Sequence, residues 1–154
     1  MNDMIELQIK VQTYDFPHFF SLHRKLYDKI NLLSCIDEKL KDKLLNKLNN
    51  FTDDKKLCHG DFHPLNIIKQ GETLHIIDWI DSASGNPEAD ICRTYLLFYL
   101  YFNEMAEVYL NNYCKISQKC KEDILKWLPV ISAARLKDNF TSETERLMNI
   151  IKTM

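Results

Sequence analysis

The sequence predicts an α+β fold that is predominantly helical, with one small β-hairpin near its centre. Three observations predict it. Apolar residues recur at three- and four-residue steps on both sides of the chain. The stretch from Leu57 to Asp78 instead carries short β-type runs around Gln70-Gly71-Glu72. Helix breakers are scarce, with 3 glycines and 4 prolines in 154 residues. That length makes a single domain the expectation, and 45% hydrophobic residues against 27% charged is enough for an ordinary core.

Phe16 to Asn31 reads as a helix, because Phe19, Phe20, Leu22, Leu26, Tyr27 and Ile30 fall on one face. Ser34 or Asp37 opens a second helix to about Asn49, with Leu40, Leu44, Leu45 and Leu48 on its apolar side. Residues 49–54 form a polar break. Asn66–Lys69 and Leu74–Asp78 pair as a hairpin across a glycine-containing turn, bringing Asn66 and Asp78 together at its open end. Ile80 to Asn86 reads as a loop. Asn86 then caps a helix with Pro87 in its first turn, continuing through Tyr95, Phe98 and Phe102 to about Leu110. A further helix follows Ser117 and is kinked or divided at Pro129. Ser142 with Glu145 fits a capping box for the last helix.

Composition narrows the partners. A net charge of −2 and a pI near 6.2 carry no nucleic-acid footprint. No apolar run is long enough to span a membrane, and no signal peptide is visible, so a cytoplasmic location is expected. Five cysteines without a CxxC pair read as reduced, mostly buried thiols. Lys41, Lys43, Lys47, Lys55 and Lys56 read as a solvated face. The aromatic run Tyr95, Phe98, Tyr99, Tyr101 and Phe102 reads as core packing.

The chemistry concentrates in His59-Gly60-Asp61-Phe62-His63-Pro64-Leu65-Asn66 and Ile77-Asp78-Trp79. An aspartate, an asparagine and a second aspartate stand at the spacing of a kinase catalytic loop. Phosphoryl transfer needs a group to take or orient the proton of the attacking hydroxyl and oxygen ligands for Mg²⁺. Asp61 suits the first task, and Asn66 and Asp78 suit the second. His59 reads as a loop-bracing group. His63 is open between flanking the substrate hydroxyl and bracing the loop. Asp81 is open between facing the substrate and capping a turn.

With Leu57 to Ile68, Ile76 to Trp79 and Gly85-Asn86-Pro87-Glu88-Ala89-Asp90-Ile91-Cys92-Arg93-Thr94 in view, the chain resembles the C-terminal lobe of the aminoglycoside phosphotransferase and choline kinase family, which has a protein-kinase-like fold. The resemblance implies Asp61 as catalytic base, Asn66 and Asp78 as metal ligands, and Asp90 as a buried brace of the catalytic loop. It implies ATP or GTP as phosphoryl donor, Mg²⁺ as cofactor, and an aminoglycoside, choline-like alcohol or sugar as acceptor. Arg93 is read as a local ion-pair partner. Within one lobe, residues 1–50 would be entering helices, 57–86 the catalytic and metal-binding loops, and 87–154 a helical subdomain.

The family's first lobe also has a glycine-rich phosphate cover and a strand lysine. The first glycine here is Gly60, and Lys10 has no glycine loop before it. The expectation is a lobe that is weakly active alone, complemented by a separate N-terminal lobe or self-associating through the uncovered face. The alternatives are a non-catalytic binding or regulatory remnant of the same fold, and a metal-dependent hydrolase using His59, Asp61, His63 and Asp78.

Overall fold

The computed structural model describes residues 1–153. Among the described residues there are eight α-helices and two small two-stranded antiparallel sheets. Helix α1 (Asn2–Val11) lies across the later helices, and α2 (Leu22–Asn31) and α3 (Glu38–Asn49) follow. The β structure comprises β1 (Lys56–Cys58), β2 (Ile67–Gln70), β3 (Thr73–Ile76) and β4 (Ala83–Gly85). The second half holds α4 (Pro87–Tyr101), α5 (Asn103–Ser117), α6 (Lys121–Leu125), α7 (Leu128–Leu136) and α8 (Thr144–Lys152). No helix among the described residues is long and apolar enough to cross a membrane.

Capping chemistry sets several boundaries. Asp37 accepts the Leu40 N–H at 2.8 Å and starts α3. Asn86 accepts the Glu88 N–H at 2.9 Å, and Pro87 pre-sets the first turn of α4. Pro129 sits in the first turn of α7, so it divides α6 from α7.

Five expectations are corrected. Helix α2 begins at Leu22, capped by Ser21, and not at Phe16. Asp15 bridges Lys56 of β1, with Leu57 N–H donating to Tyr14 O and Phe16 N–H to Lys55 O, and the chain then turns at residues 17–19. The edge of β1 offers backbone groups of this segment partners outside a helix. The Ile80–Asn86 segment is not all loop: Leu57 pairs with Ser84 across β1 and β4. The long helix breaks at Phe102, whose φ of −144° and ψ of 59° separate α4 from α5. The capping box at Ser142 does not form, because α8 starts at Thr144 and Glu143 is drawn inward to Arg135. Lys41 is buried beside Glu38 and does not belong to a solvated face.

The thiol and aromatic expectations hold in part. Cys58 and Cys92 are buried, whereas Cys35 and Cys120 are exposed. Tyr95 and Phe98 enter the core, but Tyr101 and Phe102 remain more than half exposed.

The core forms where α1 to α8 contribute aliphatic side chains around Phe62, Tyr109 and Tyr113. A buried polar seam crosses it. Tyr109 OH donates to Gln8 Oε1 at 2.6 Å, and Gln8 Nε2 donates to Thr94 Oγ1 at 3.1 Å. Tyr113 OH donates to Gln12 Oε1 at 2.8 Å, and Gln12 Nε2 donates to Asp90 Oδ2 at 3.3 Å. Each buried polar group so paired avoids its desolvation penalty, and the seam fixes α1 in register against α4 and α5.

Candidate active site

Strand β1 delivers the chain to His59, and the loop that follows is shaped by Gly60. Its φ is +82°, and a β-carbon there would stand 2.4 Å from the Asp81 carbonyl oxygen. Only glycine satisfies both the left-handed backbone and this close approach. The Gly60 N–H donates to Asp90 Oδ1 at 2.7 Å. Asp90 is almost fully buried in the first turn of α4, so its carboxylate ties the loop to that helix and, through Gln12, to α1.

His59 is fully buried. Its Nδ1 accepts the Asp61 N–H at 3.3 Å and its Nε2 lies 3.0 Å from Ile77 O. The tautomer with the proton on Nε2 satisfies both bonds. The ring packs against Phe62 and Trp79. His59 therefore links the loop to the chain leaving β3, and both ring nitrogens are used in doing so. The four-residue hydrolase cluster does not assemble: among the described residues no three His, Cys, Asp or Glu side chains are grouped as for a metal.

The Asp61 carboxylate is about one-quarter exposed. Its Oδ1 lies 3.4 Å from Arg93 Nη2, and its Oδ2 lies 3.1 Å from His63 Nε2. Asn66 Nδ2 donates to the Asp61 carbonyl oxygen at 2.9 Å and lies 3.4 Å from Oδ2. Asn66 stands at the end of a short 3-10 turn, Pro64–Asn66, immediately before β2. The β2–β3 register sets Ile67 opposite Ile76, and Ile77 N–H donates to Asn66 O at 3.0 Å. The hairpin mouth thus holds Asn66 beside the backbone that leads into Asp78. Asp78 adopts a left-handed conformation with φ of 60°, is exposed, and has no hydrogen-bond or ion-pair partner among the described residues.

Asp61 and His63 open onto a cleft of about 440 Å³ walled by Leu97, Phe98, Tyr101, Phe102, Arg135 and Phe140. Asp81 does not line it. With Asp90 and Arg93, Asp81 lines a separate cavity of about 60 Å³ behind the loop. The geometry therefore divides the two residues left open as substrate-side.

Arg93 is an ion-pair partner as expected, but its partners lie far along the chain. It reaches Asp61 and also lies 3.9 Å from Asp138 Oδ2. Burial pushes its guanidinium pKa down, as does nearby Arg135, while Asp61, Asp138 and Asp81 oppose this. It stays charged, since arginine does not lose its proton in proteins. Its place one turn after Asp90 was the available signal. Arg135 and Phe140 carry no local motif; only the packing of α7 brings them to the cleft. Arg135 pairs with Glu143 at 2.7 Å through both Nε and Nη2, and its guanidinium stacks 4.3 Å from the Phe140 ring centroid.

The profile of the phosphotransferase enzyme family matches residues 9–123. No curated protein matches the chain. Among solved structures, the chain is similar to the choline kinase LicA from Streptococcus pneumoniae, with a TM-score of 0.68 and 16% identity. The match covers 99% of this chain and 63% of the choline kinase. At that identity the likeness establishes the fold.

Proposed function

This chain belongs to the phosphotransferase enzyme family, and from that premise we propose that it carries the catalytic base and metal ligands for ATP-dependent phosphorylation of a small-molecule hydroxyl. The observation that carries the reading is the contact of Asp61, which lines the 440 Å³ cleft, with Asn66 at the mouth of the β2–β3 hairpin. In this reading Asp61 orients the acceptor hydroxyl and takes its proton. Arg93 and His63 hold the carboxylate in place. His59 and Asp90 brace the loop from opposite sides.

The donor set suits a hard cation. Asn66 spends its Nδ2 on Asp61 and leaves Oδ1 available, and the Asp78 carboxylate is uncommitted. Asn66 and Asp78 would hold Mg²⁺, which when bound neutralises charge on the nucleotide phosphates. ATP or GTP would be the donor. The chain spans 63% of the length of the choline kinase it matches, and no glycine-rich phosphate cover lies among the described residues. We therefore expect turnover by this chain alone far below the roughly 1–100 s⁻¹ of ordinary kinases, because positioning is most of the catalysis.

A second reading, the same fold without turnover, is favoured by one observation: Arg93 already engages one Asp61 oxygen. Calorimetric titration with ATP and GTP, with and without Mg²⁺, tests both. We expect Mg²⁺-dependent nucleotide binding that is weakened in Asp78→Ala. Nucleotide consumption with an aminoglycoside, choline and sugar panel should be lost in Asp61→Ala, including when any complementing lobe is added. Mg²⁺-dependent binding with no consumption under any condition selects the non-catalytic reading. Binding that is indifferent to Mg²⁺ and to Asp78→Ala removes the phosphotransfer assignment.

A further inference from the structure

We infer that the 440 Å³ cleft takes an acceptor with an uncharged, largely apolar body, presented hydroxyl-first to Asp61. The role given to the hydroxyl rests on the phosphotransfer reading; the preference of the cleft rests on its own walls. Leu97, Phe98, Tyr101, Phe102 and Phe140 form an aromatic and aliphatic surface. Its volume lies in the range of pockets that bury a drug-sized molecule.

The charged groups around it are already matched to one another. Asp61 is the only carboxylate lining the cleft among the described residues, and it is held by Arg93 and His63. Glu143, behind Tyr101, is buried and bonds Arg135 through both oxygens. Asp138 is taken by Lys29 at 2.9 Å and Arg135 at 3.3 Å. A body bearing several ammonium groups would leave them desolvated without carboxylates, which is costly in an apolar cleft. A single quaternary ammonium could lie against Tyr101 and Phe102, but the Arg135 guanidinium already occupies the Phe140 face and repels a second cation. An apolar alcohol meets neither penalty and gains the burial of both exposed rings.

The test uses 2-(2-naphthyl)ethanol as probe, with choline and kanamycin as competitors, on the full chain. Amide chemical shifts report the place of binding and a titration reports its strength. We expect saturable binding that shifts the Asp61, Tyr101 and Phe102 amides and is not displaced by either cation. Phe102→Ala, at a position 60% exposed, should weaken it roughly tenfold. Phe102→Asp should reverse the preference and admit choline; it serves as the second variant, with circular dichroism checking that each remains folded. Displacement of the probe from the wild type by choline or kanamycin overturns the inference. So does Mg²⁺-dependent ATP binding with no probe binding at the cleft, an outcome that leaves the phosphotransfer reading intact. Probe binding at the cleft without any ATP binding does the reverse: it upholds the preference and removes the phosphotransfer reading.

Discussion

Gly60 is the residue whose side chain the loop can least afford to gain. Gly60→Ala meets the Asp81 carbonyl and a φ of +82° together. We expect it to lower the unfolding free energy by about 1–3 kcal/mol, read from urea denaturation. Glu143 gives a pH prediction. Burial pushes its carboxyl pKa up, but the Arg135 and Tyr101 hydrogen bonds and the Arg135 charge outweigh that and leave it lowered. A depressed folded-state pKa stabilises above the unfolded value, about 4.3 for glutamate, and that stabilisation disappears as pH falls through the folded value. The urea midpoint should therefore fall as pH drops below the ordinary glutamate range. Glu143→Gln should be less stable at pH 7, since Arg135 loses the nearer of its two carboxylate partners, and should show a shallower acid dependence.

Helix α1 lies far in sequence from the loop it supports. Gln12 joins Tyr113 on α5 to Asp90 on α4, and Asp90 holds the Gly60 N–H. Gln12→Leu removes the middle of that chain and leaves a buried carboxylate oxygen and a buried phenol with fewer partners. We expect a loss of about 1–3 kcal/mol, together with faster hydrogen exchange at the Gly60 amide. An unchanged Gly60 exchange rate in a destabilised variant would show that α1 supports the fold without positioning the loop. At the start of α4, Asn86 caps Glu88 and also donates to Thr52 Oγ1 and Asp54 Oδ2. Asn86→Ala should cost about 0.5–2 kcal/mol by the same denaturation measurement.

At the scale of the whole molecule, large apolar side chains stand exposed on two adjoining loops. Tyr14, Phe19 and Phe20 lie on the segment before α2, and Ile77, Trp79 and Ile80 on the one after β3. Ser84 N–H donates to Phe20 O at 2.8 Å, which brings the first segment to the chain just beyond the second. Exposed apolar surface of this kind promotes association. Sedimentation velocity over a concentration series should show reversible self-association that Phe20→Lys with Ile80→Lys reduces. A concentration-independent monomer in the unmodified chain would mean that this surface is too divided to drive contact.

What the sequence determined by itself is local. Asn86-Pro87 and Gly71 announce a cap and a hairpin turn, and Ser34 or Asp37 a second cap that the structure assigns to Asp37, because capping and turn geometry depend on a few neighbouring residues. The contact of Asp61 with Asn66 and the hairpin that leads on to Asp78 follow from the same kind of local geometry, a short loop and a tight turn. Tertiary structure alone decided the rest. The periodicity of Phe16 to Phe20 imitated a helix until the edge of β1 offered its backbone partners. The break at Phe102 has no glycine or proline to mark it. The capping box of Ser142 and Glu145 did not form, because α8 starts at Thr144 with Glu143 turned in to the Arg135 guanidinium. Arg135 and Phe140 reach the cleft, and Gln12 reaches Asp90, only when α7 and α1 pack. Contacts between residues so distant along the chain follow from which apolar faces bury one another, and no window of sequence contains both partners.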